Sequence, residues 1–249
     1  MSRALLDCGV LVTRPAHQAG GLIRAIEQAG GRALAFPVIE IVPLPAEPPA
    51  GAWDWLIFVS PNAVACGWPQ LASLAGQARV AAVGPGTARA LAARGRDPDA
   101  VPATGADSAA LLALPALQAV AGQRILLVRG RDGREILAQT LRERGAQVGN
   151  LDVYTRGLPA ADPAPVLAAW REGALHAALL TSGTAIAHLA RLLDREAKAV
   201  FHGTQLVVAA PRMLKLAQQY GAVAPLVAAG ADDAAMLHTL TAWWSRQHP

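Results

Sequence analysis

Short apolar runs recur along the chain at Val10 to Thr13, Leu56 to Val59, Val80 to Val83, Ile125 to Val128, Ala178 to Thr181 and Leu206 to Ala209. They are too short for helices and largely apolar on both faces, the pattern of parallel-sheet strands covered on both sides. Each is followed by a break and then by apolar residues at helical spacing. Leu22, Ile23 and Ile26 make one such stripe and Ile136, Leu137 and Leu141 another, closing at Gly30 and Gly145. Ser60 before Pro61 reads as a helix cap and first helical residue, and Asp107/Ser108 and Asp232/Asp233 read as further helix starts. Strand and helix alternate throughout, which predicts an α/β fold of doubly wound parallel sheets.

The pattern repeats. Val10 to Pro15 with Leu22, Ile26 and Gly30 returns 115 positions later as Ile125 to Gly130 with Leu137, Leu141 and Gly145. Leu56 to Val64 is echoed by Ala178 to Ile186, Arg79 to Gly95 by Gln205 to Gly221, and Gly105 to Ser108 by Gly230 to Asp233. Four segments in the same order argue for a duplicated domain. Two Pro-bounded segments break the rhythm at equivalent places, Phe36 to Pro45 and Asn150 to Pro159. Both are extended and alternate apolar with polar residues, as a two-stranded connector does. They allow two arrangements: two contiguous halves, or one domain inserted into another built from both chain ends.

Composition bounds the function. The chain has 249 residues with 16% charged and 53% hydrophobic, enough for two cores. The net charge of +4 rests on 22 basic residues, of which only Lys198 and Lys215 are lysine, leaving 20 Arg scattered singly. Isolated Arg suits fork-shaped recognition of carboxylates in a small acidic molecule and argues against a nucleic-acid surface. A charge at Asp7, ahead of any signal-length apolar run, predicts a cytoplasmic protein, and no stretch is long and apolar enough to span a bilayer. Cys8 and Cys66 read as buried reduced thiols, and six dispersed His give no metal-ligand spacing.

In an open α/β sheet, ligands bind past the carboxyl ends of the strands, where helix N-termini present unpaired N–H groups. That selects Thr13 and Arg14, Ser60 and Asn62, Gly84 to Thr87, Arg129 and Gly130, Thr181 to Thr184, and Arg212. Ser60 and Ser182 serve equally well as plain helix caps. The loop from Gly84 to Ala88 lacks GxGxxG, and neither GxxxxGK[ST] nor GxSxG occurs, so nucleotide and serine-hydrolase chemistry lack their signatures. Arg131 and Arg134, in the Gly-rich turn with Asp132, fit a solvated helix start. Tyr154, one of two tyrosines, lies in the extended segment, where its phenol either packs or points into a cleft as a proton donor. With few acids and bases at strand ends, an enzyme here works chiefly by positioning a reactive substrate.

Taken in order, Val12 to Pro15, Val59 to Val64, Val83 to Ala88, Arg129-Gly130 with Gly133 to Glu135, Val153 to Arg156 and Thr181-Ser182 resemble the uroporphyrinogen-III synthase family, from about Gly9 to Leu240. The resemblance implies two α/β domains joined by a two-stranded β-ladder hinge: 1–37 with 158–249 as a discontinuous first domain, 50–149 inserted, and 38–49 and 150–157 as linkers. It implies a monomeric, cofactor-independent and metal-free lyase. The implied reaction cyclises the polycarboxylate hydroxymethylbilane, made by hydroxymethylbilane synthase, to uroporphyrinogen III. Water is lost and the last ring is inverted through a spiro intermediate. Tyr154 falls on the family's hinge tyrosine, the catalytic candidate. Ser60, Asn62, Thr87, Thr181 and Ser182 fall on cleft-lining positions of the family, and with Thr13, Arg14, Gly84, Arg129, Gly183 and Arg212 from the strand ends they make up the expected substrate-binding set. Ala209 and Ala210 stand where many relatives have Ser or Thr, which leaves only a backbone contact there. The competing expectation is a non-catalytic member of the same fold that binds an acidic small molecule.

Overall fold

A computed structural model of the chain describes residues 4–105, 107–131, 133 and 135–248. Asp132 and Arg134 of the Gly-rich turn, and Ala106, lie outside the described residues. The strands are β1 (Gly9–Val12), β2 (Arg32–Ala35), β3 (Glu40–Pro43), β4 (Trp55–Phe58), β5 (Arg79–Ala82), β6 (Arg124–Gly130), β7 (Gln147–Gly157), β8 (Ala177–Leu180), β9 (Gln205–Val208) and β10 (Leu226–Val227). The helices are α1 (Ala16–Gln28), α2 (Pro61–Ala75), α3 (Pro85–Ala92), α4 (Ser108–Leu112), α5 (Ile136–Glu143), α6 (Ala164–Arg171), α7 (Gly183–Leu193), α8 (Ala197–Gly203), α9 (Leu214–Gln219) and α10 (Asp233–Gln247). The six expected strands form one residue earlier than their apolar runs, because Thr13, Val59, Val83, Thr181 and Ala209 already leave the ladder to enter the following turn. β6 instead runs on through Arg129 and Gly130.

The chain divides into two compact units, Met1–Glu40 with Gly157–Pro249, and Ile41–Arg156. The first holds a sheet of order β10-β9-β8-β1-β2 and the second a sheet of order β3-β7-β6-β4-β5. Under the sequence repeat the two orders coincide over four strands, with β10 added at one edge of the first sheet and β3 at the opposite edge of the second. Registers coincide as well. Gly9 opposite Arg32 becomes Arg124 opposite Gln147, Val10 opposite Ala177 becomes Ile125 opposite Trp55, and Ala177 opposite Gln205 becomes Trp55 opposite Arg79. Residues 150–157, expected as connector, are the last eight residues of the eleven-residue β7. The 38–49 segment supplies β3 beside it, and the Leu44 N–H donates to the Val153 carbonyl at 2.9 Å.

Helix ends follow the local signals. Gly30 and Gly145 adopt φ of 90° and 84°, the left-handed conformation that closes α1 and α5 at matching positions. Asp107 and Asp232 cap α4 and α10, accepting from Ala110 N–H at 2.9 Å and Ala235 N–H at 3.0 Å. Alternate residues of β4 and β6 cover opposite faces: Trp55, Ile57, Ile125 and Leu127 pack with Leu137 and Leu141 of α5. Leu56, Phe58, Leu126 and Val128 pack with Val64 and Leu71 of α2 and Leu91 of α3. In the other unit Val10, Val12 and Leu179 pack with Leu22 and Ile26 of α1 and Leu240 and Trp244 of α10. The Trp244 indole N–H also reaches the Leu6 carbonyl at 3.1 Å. Cys8 is fully buried and its thiol is pushed up to about 12 by that burial, while Cys66 is half-buried; both are free. No helix among the described residues is long and apolar enough to cross a membrane.

At the amino edge of the first sheet the His176 N–H donates to the Gly9 carbonyl and the Gly9 N–H donates to His176 Nδ1, both at 2.9 Å. A cationic imidazole loses that acceptor. Burial, then the charges of His248 and Arg32, hold His176 below the ordinary histidine pKa against the opposing pull of Asp7. Between the depressed folded value and about 6.5 the unfolded chain binds more protons, so this contribution is complete above about pH 6.5 and is lost as pH falls through the folded value. Urea midpoints measured from pH 7.5 down to 5 are expected to fall more for the wild type than for His176→Asn, whose amide oxygen replaces Nδ1 without titrating. Equal slopes would show that His176 does not couple to folding.

Candidate active site

In the second unit the carboxyl ends of β4, β5 and β6 meet the N-termini of α2, α3 and the α5 turn. Ser60 follows β4 in extended conformation (φ −163°, ψ 161°) and caps α2, its Oγ accepting from the Ala63 N–H at 3.1 Å. Pro61 at the first helical position costs nothing, since its missing N–H would have had no partner there. The same hydroxyl lies 3.1 Å from the Tyr154 phenol oxygen. The guanidinium of Arg156 completes the group: Nη2 donates to the phenol oxygen at 3.3 Å, and the charge stands 5.6 Å from the ring centroid.

A bulge puts Tyr154 there. β6 and β7 keep register up to Arg129 opposite Asp152, then Gly130 faces Tyr154, one residue of β7 being left over. The ring lies flat on Gly130: a Cβ at that position would sit 2.7 Å from the tyrosine Cζ. Tyr154 is 1% exposed, so its hydroxyl is enclosed by Ser60 and Arg156. Ser60 is half-buried and Arg156 exposed.

The other expected residues fall into several groups. Arg129 is buried and ion-paired to Glu135 at 2.6 Å and Asp152 at 3.0 Å. Burial works against its charge, but those two carboxylates more than offset it and raise its pKa above the ordinary arginine value. Arg14, its repeat partner, is bonded to the Asp233 carboxylate and the Ala231 carbonyl. Thr13 is buried and donates to the Leu179 carbonyl at 2.7 Å. These three side chains are engaged within the protein, where sequence reasoning expected them to face substrate. Asn62 and Thr87 are buried beside the starts of α2 and α3, and Gly84 caps α3 through its backbone alone. Ser182 caps α7 as Ser60 caps α2, accepting from the Ala185 N–H at 3.1 Å, with Thr181 and Gly183 half-buried beside it. Arg131 and Arg212 are exposed, the latter just past Ala209 and Ala210.

The residues missed by sequence reasoning are Arg156, Gly130 as a platform, and Asp152. The two-residue spacing of Tyr154 and Arg156 was the available signal, because positions i and i+2 of a strand share a face. A concavity of about 610 Å³ at the opposite, amino edge of the first sheet is walled by Trp170, Trp243 and Trp244 and has no Arg or Lys in its lining. It brings no guanidinium or ammonium to a polycarboxylate, so the strand-end group is the better candidate. Among the described residues no cluster of His, Cys, Asp and Glu could hold a metal ion.

Comparison with known proteins bears on this arrangement. A family model described as uroporphyrinogen-III synthase HemD matches residues 21–238. The chain is 31% identical over 250 residues to the uroporphyrinogen-III synthase of Escherichia coli (strain K12), covering 93% of this chain and 99% of that one. It is 32% identical over 243 residues to the enzyme of the same name from Salmonella typhimurium, with the same coverage. In fold it is similar to the crystal structures of a mutant uroporphyrinogen III synthase from the extremely thermophilic bacterium Thermus thermophilus (TM-score 0.58, 19% identity, 97% of this chain and 100% of that one) and of uroporphyrinogen-III synthetase from Helicobacter pylori (TM-score 0.59, 17% identity, 95% and 99%). With two mainly parallel α/β units of matching order, a family match over most of its length and relatives aligned end to end, the chain belongs to the uroporphyrinogen-III synthase family.

Proposed function

We propose that the chain catalyses the reaction its family is named for, the cyclisation of hydroxymethylbilane to uroporphyrinogen III with loss of water and inversion of the last ring. The observation that carries this is the Ser60, Tyr154 and Arg156 group at the strand carboxyl edge, a hydrogen-bonded set of hydroxyls backed by a cation. Loss of the substrate hydroxyl needs a proton for the departing oxygen, and this set can supply one. The azafulvene left behind is attacked by the terminal ring through its substituted carbon, giving the spiro intermediate that fragments and recloses. The substrate also closes unaided to the uninverted isomer, so the protein must hold one fold of a flexible chain. The substrate is a polycarboxylate small molecule supplied by hydroxymethylbilane synthase. Exposed Arg131, with the N-termini of α2 and α3 in the same unit, is proposed to receive carboxylates of the substrate. Arg14 and Arg129, already ion-paired, have a structural part.

Two outcomes test the reading. Purified protein given hydroxymethylbilane is expected to yield the type III isomer on chromatographic separation; type I alone would rule the activity out. Gly130→Ala forces the Tyr154 ring off its platform, and is expected to lower type III formation about 100-fold and stability by about 1–3 kcal/mol. A Gly130→Ala enzyme with wild-type kinetics would show that the ring position does not matter.

A further inference from the structure

We infer that Tyr154 gives up its proton through Ser60, without touching the substrate, and that Arg156 is the positioning residue that makes this direction possible. The inference rests on the activity proposed above and follows from counting donors and acceptors. A guanidinium only donates, so the phenol oxygen accepts from Arg156 and its own proton must go elsewhere. The phenol is 1% exposed, and among its described hydrogen bonds the one remaining partner is Ser60 Oγ at 3.1 Å. Were Ser60 the donor instead, the phenol proton would be buried without an acceptor, at a cost of about 1–3 kcal/mol. Tyr154 therefore donates to Ser60.

The consequence lies in Ser60. A serine hydroxyl has two acceptor positions and one proton. The Ala63 N–H fills one acceptor position and the Tyr154 O–H fills the other. The Ser60 proton points away from both, on a side chain that is half-buried while the phenol behind it is closed off. The donor the enzyme presents is the Ser60 hydroxyl, and the order of donation is Arg156 to Tyr154 to Ser60 to substrate.

In the reaction the C–O bond of the hydroxymethyl group breaks and its electron pair goes to oxygen. That oxygen takes the Ser60 proton and leaves as water, while the pyrrole is left as a cationic azafulvene. Ser60 is reprotonated by Tyr154, whose phenolate lies against the Arg156 guanidinium. When the final ring closure releases a proton, the same path carries it back to the phenolate, so no net acid is consumed. Ile39 occupies the Tyr154 position of the duplicate, and among the described hydrogen bonds the serine cap there, Ser182, is bonded to the Ala185 N–H and to no phenol.

A mutant cycle on the full chain, reading type III formation from hydroxymethylbilane, tests the relay. Tyr154→Phe and Ser60→Ala are each expected to lower kcat about 100-fold with KM little changed. The double variant should fall no further, because both belong to one unit. Ser60→Thr keeps the cap and the hydroxyl and should retain kcat within a few-fold. Arg156→Gln should lower kcat in the wild type and leave Tyr154→Phe unchanged, a dependence that a merely structural arginine would not show. Losses that multiply towards 10⁴ in the double variant, or a Ser60→Ala enzyme that stays active while Tyr154→Phe does not, would overturn the relay alone. A wild type that makes only the type I isomer would remove the underlying activity and the relay with it.

Discussion

Parallel pairing of two central strand pairs, β1 with β8 and β6 with β4, is the constraint on which the rest of the structure depends. Parallel strands bring all their carboxyl ends to one edge, so every following helix turns its N-terminus, with unpaired N–H groups, to that edge. The pairing also crosses the duplication: the strand that opens the first repeat pairs with one from the second repeat, and the reverse holds in the other sheet. The registers stay identical in both, so the exchange of partners leaves the edge geometry of each unit intact.

On this common scaffold the two copies have diverged in side chains at matching positions. Ser60 and Ser182 cap their helices with the same 3.1 Å bond, and Arg14 and Arg129 are both tied to acids. Around these shared parts the chemistry differs. Tyr154 stands opposite Gly130 across a bulge, whereas the other copy has Ile39, buried and apolar. Thr13 replaces Val128 and donates to a strand carbonyl. The duplication thus supplies each unit with its own set of helix N-termini at the strand carboxyl edge, and the proposed hydroxyl relay stands in one of them.

Much of this was legible in the sequence because it is local. Apolar runs and helical stripes located the strands, Ser60, Asp107, Ser182 and Asp232 announced helix starts, and the repeat anticipated a duplicated domain. What the sequence left unread is set by contacts between distant segments. Arg129 looked available until β7 brought Asp152 beside it, and Arg14 until α10 brought Asp233. The β7 segment from 150 to 157 looked like a connector because its alternation and closing Pro mimic an edge, yet β6 pairs with it as far as Tyr154. A bulge depends on two strands at once, so no single-strand pattern could have placed the Tyr154 ring on Gly130.

The central claim is that the buried phenol works from behind a serine. A crystal structure of the chain with an unreactive linear tetrapyrrole polycarboxylate bound tests it most directly. The account predicts Ser60 Oγ at about 3 Å from the position of the departing oxygen, with the Tyr154 hydroxyl still on Ser60 at 3.1 Å and out of contact with the ligand. A phenol oxygen bonded directly to the ligand, with Ser60 turned away, would contradict it.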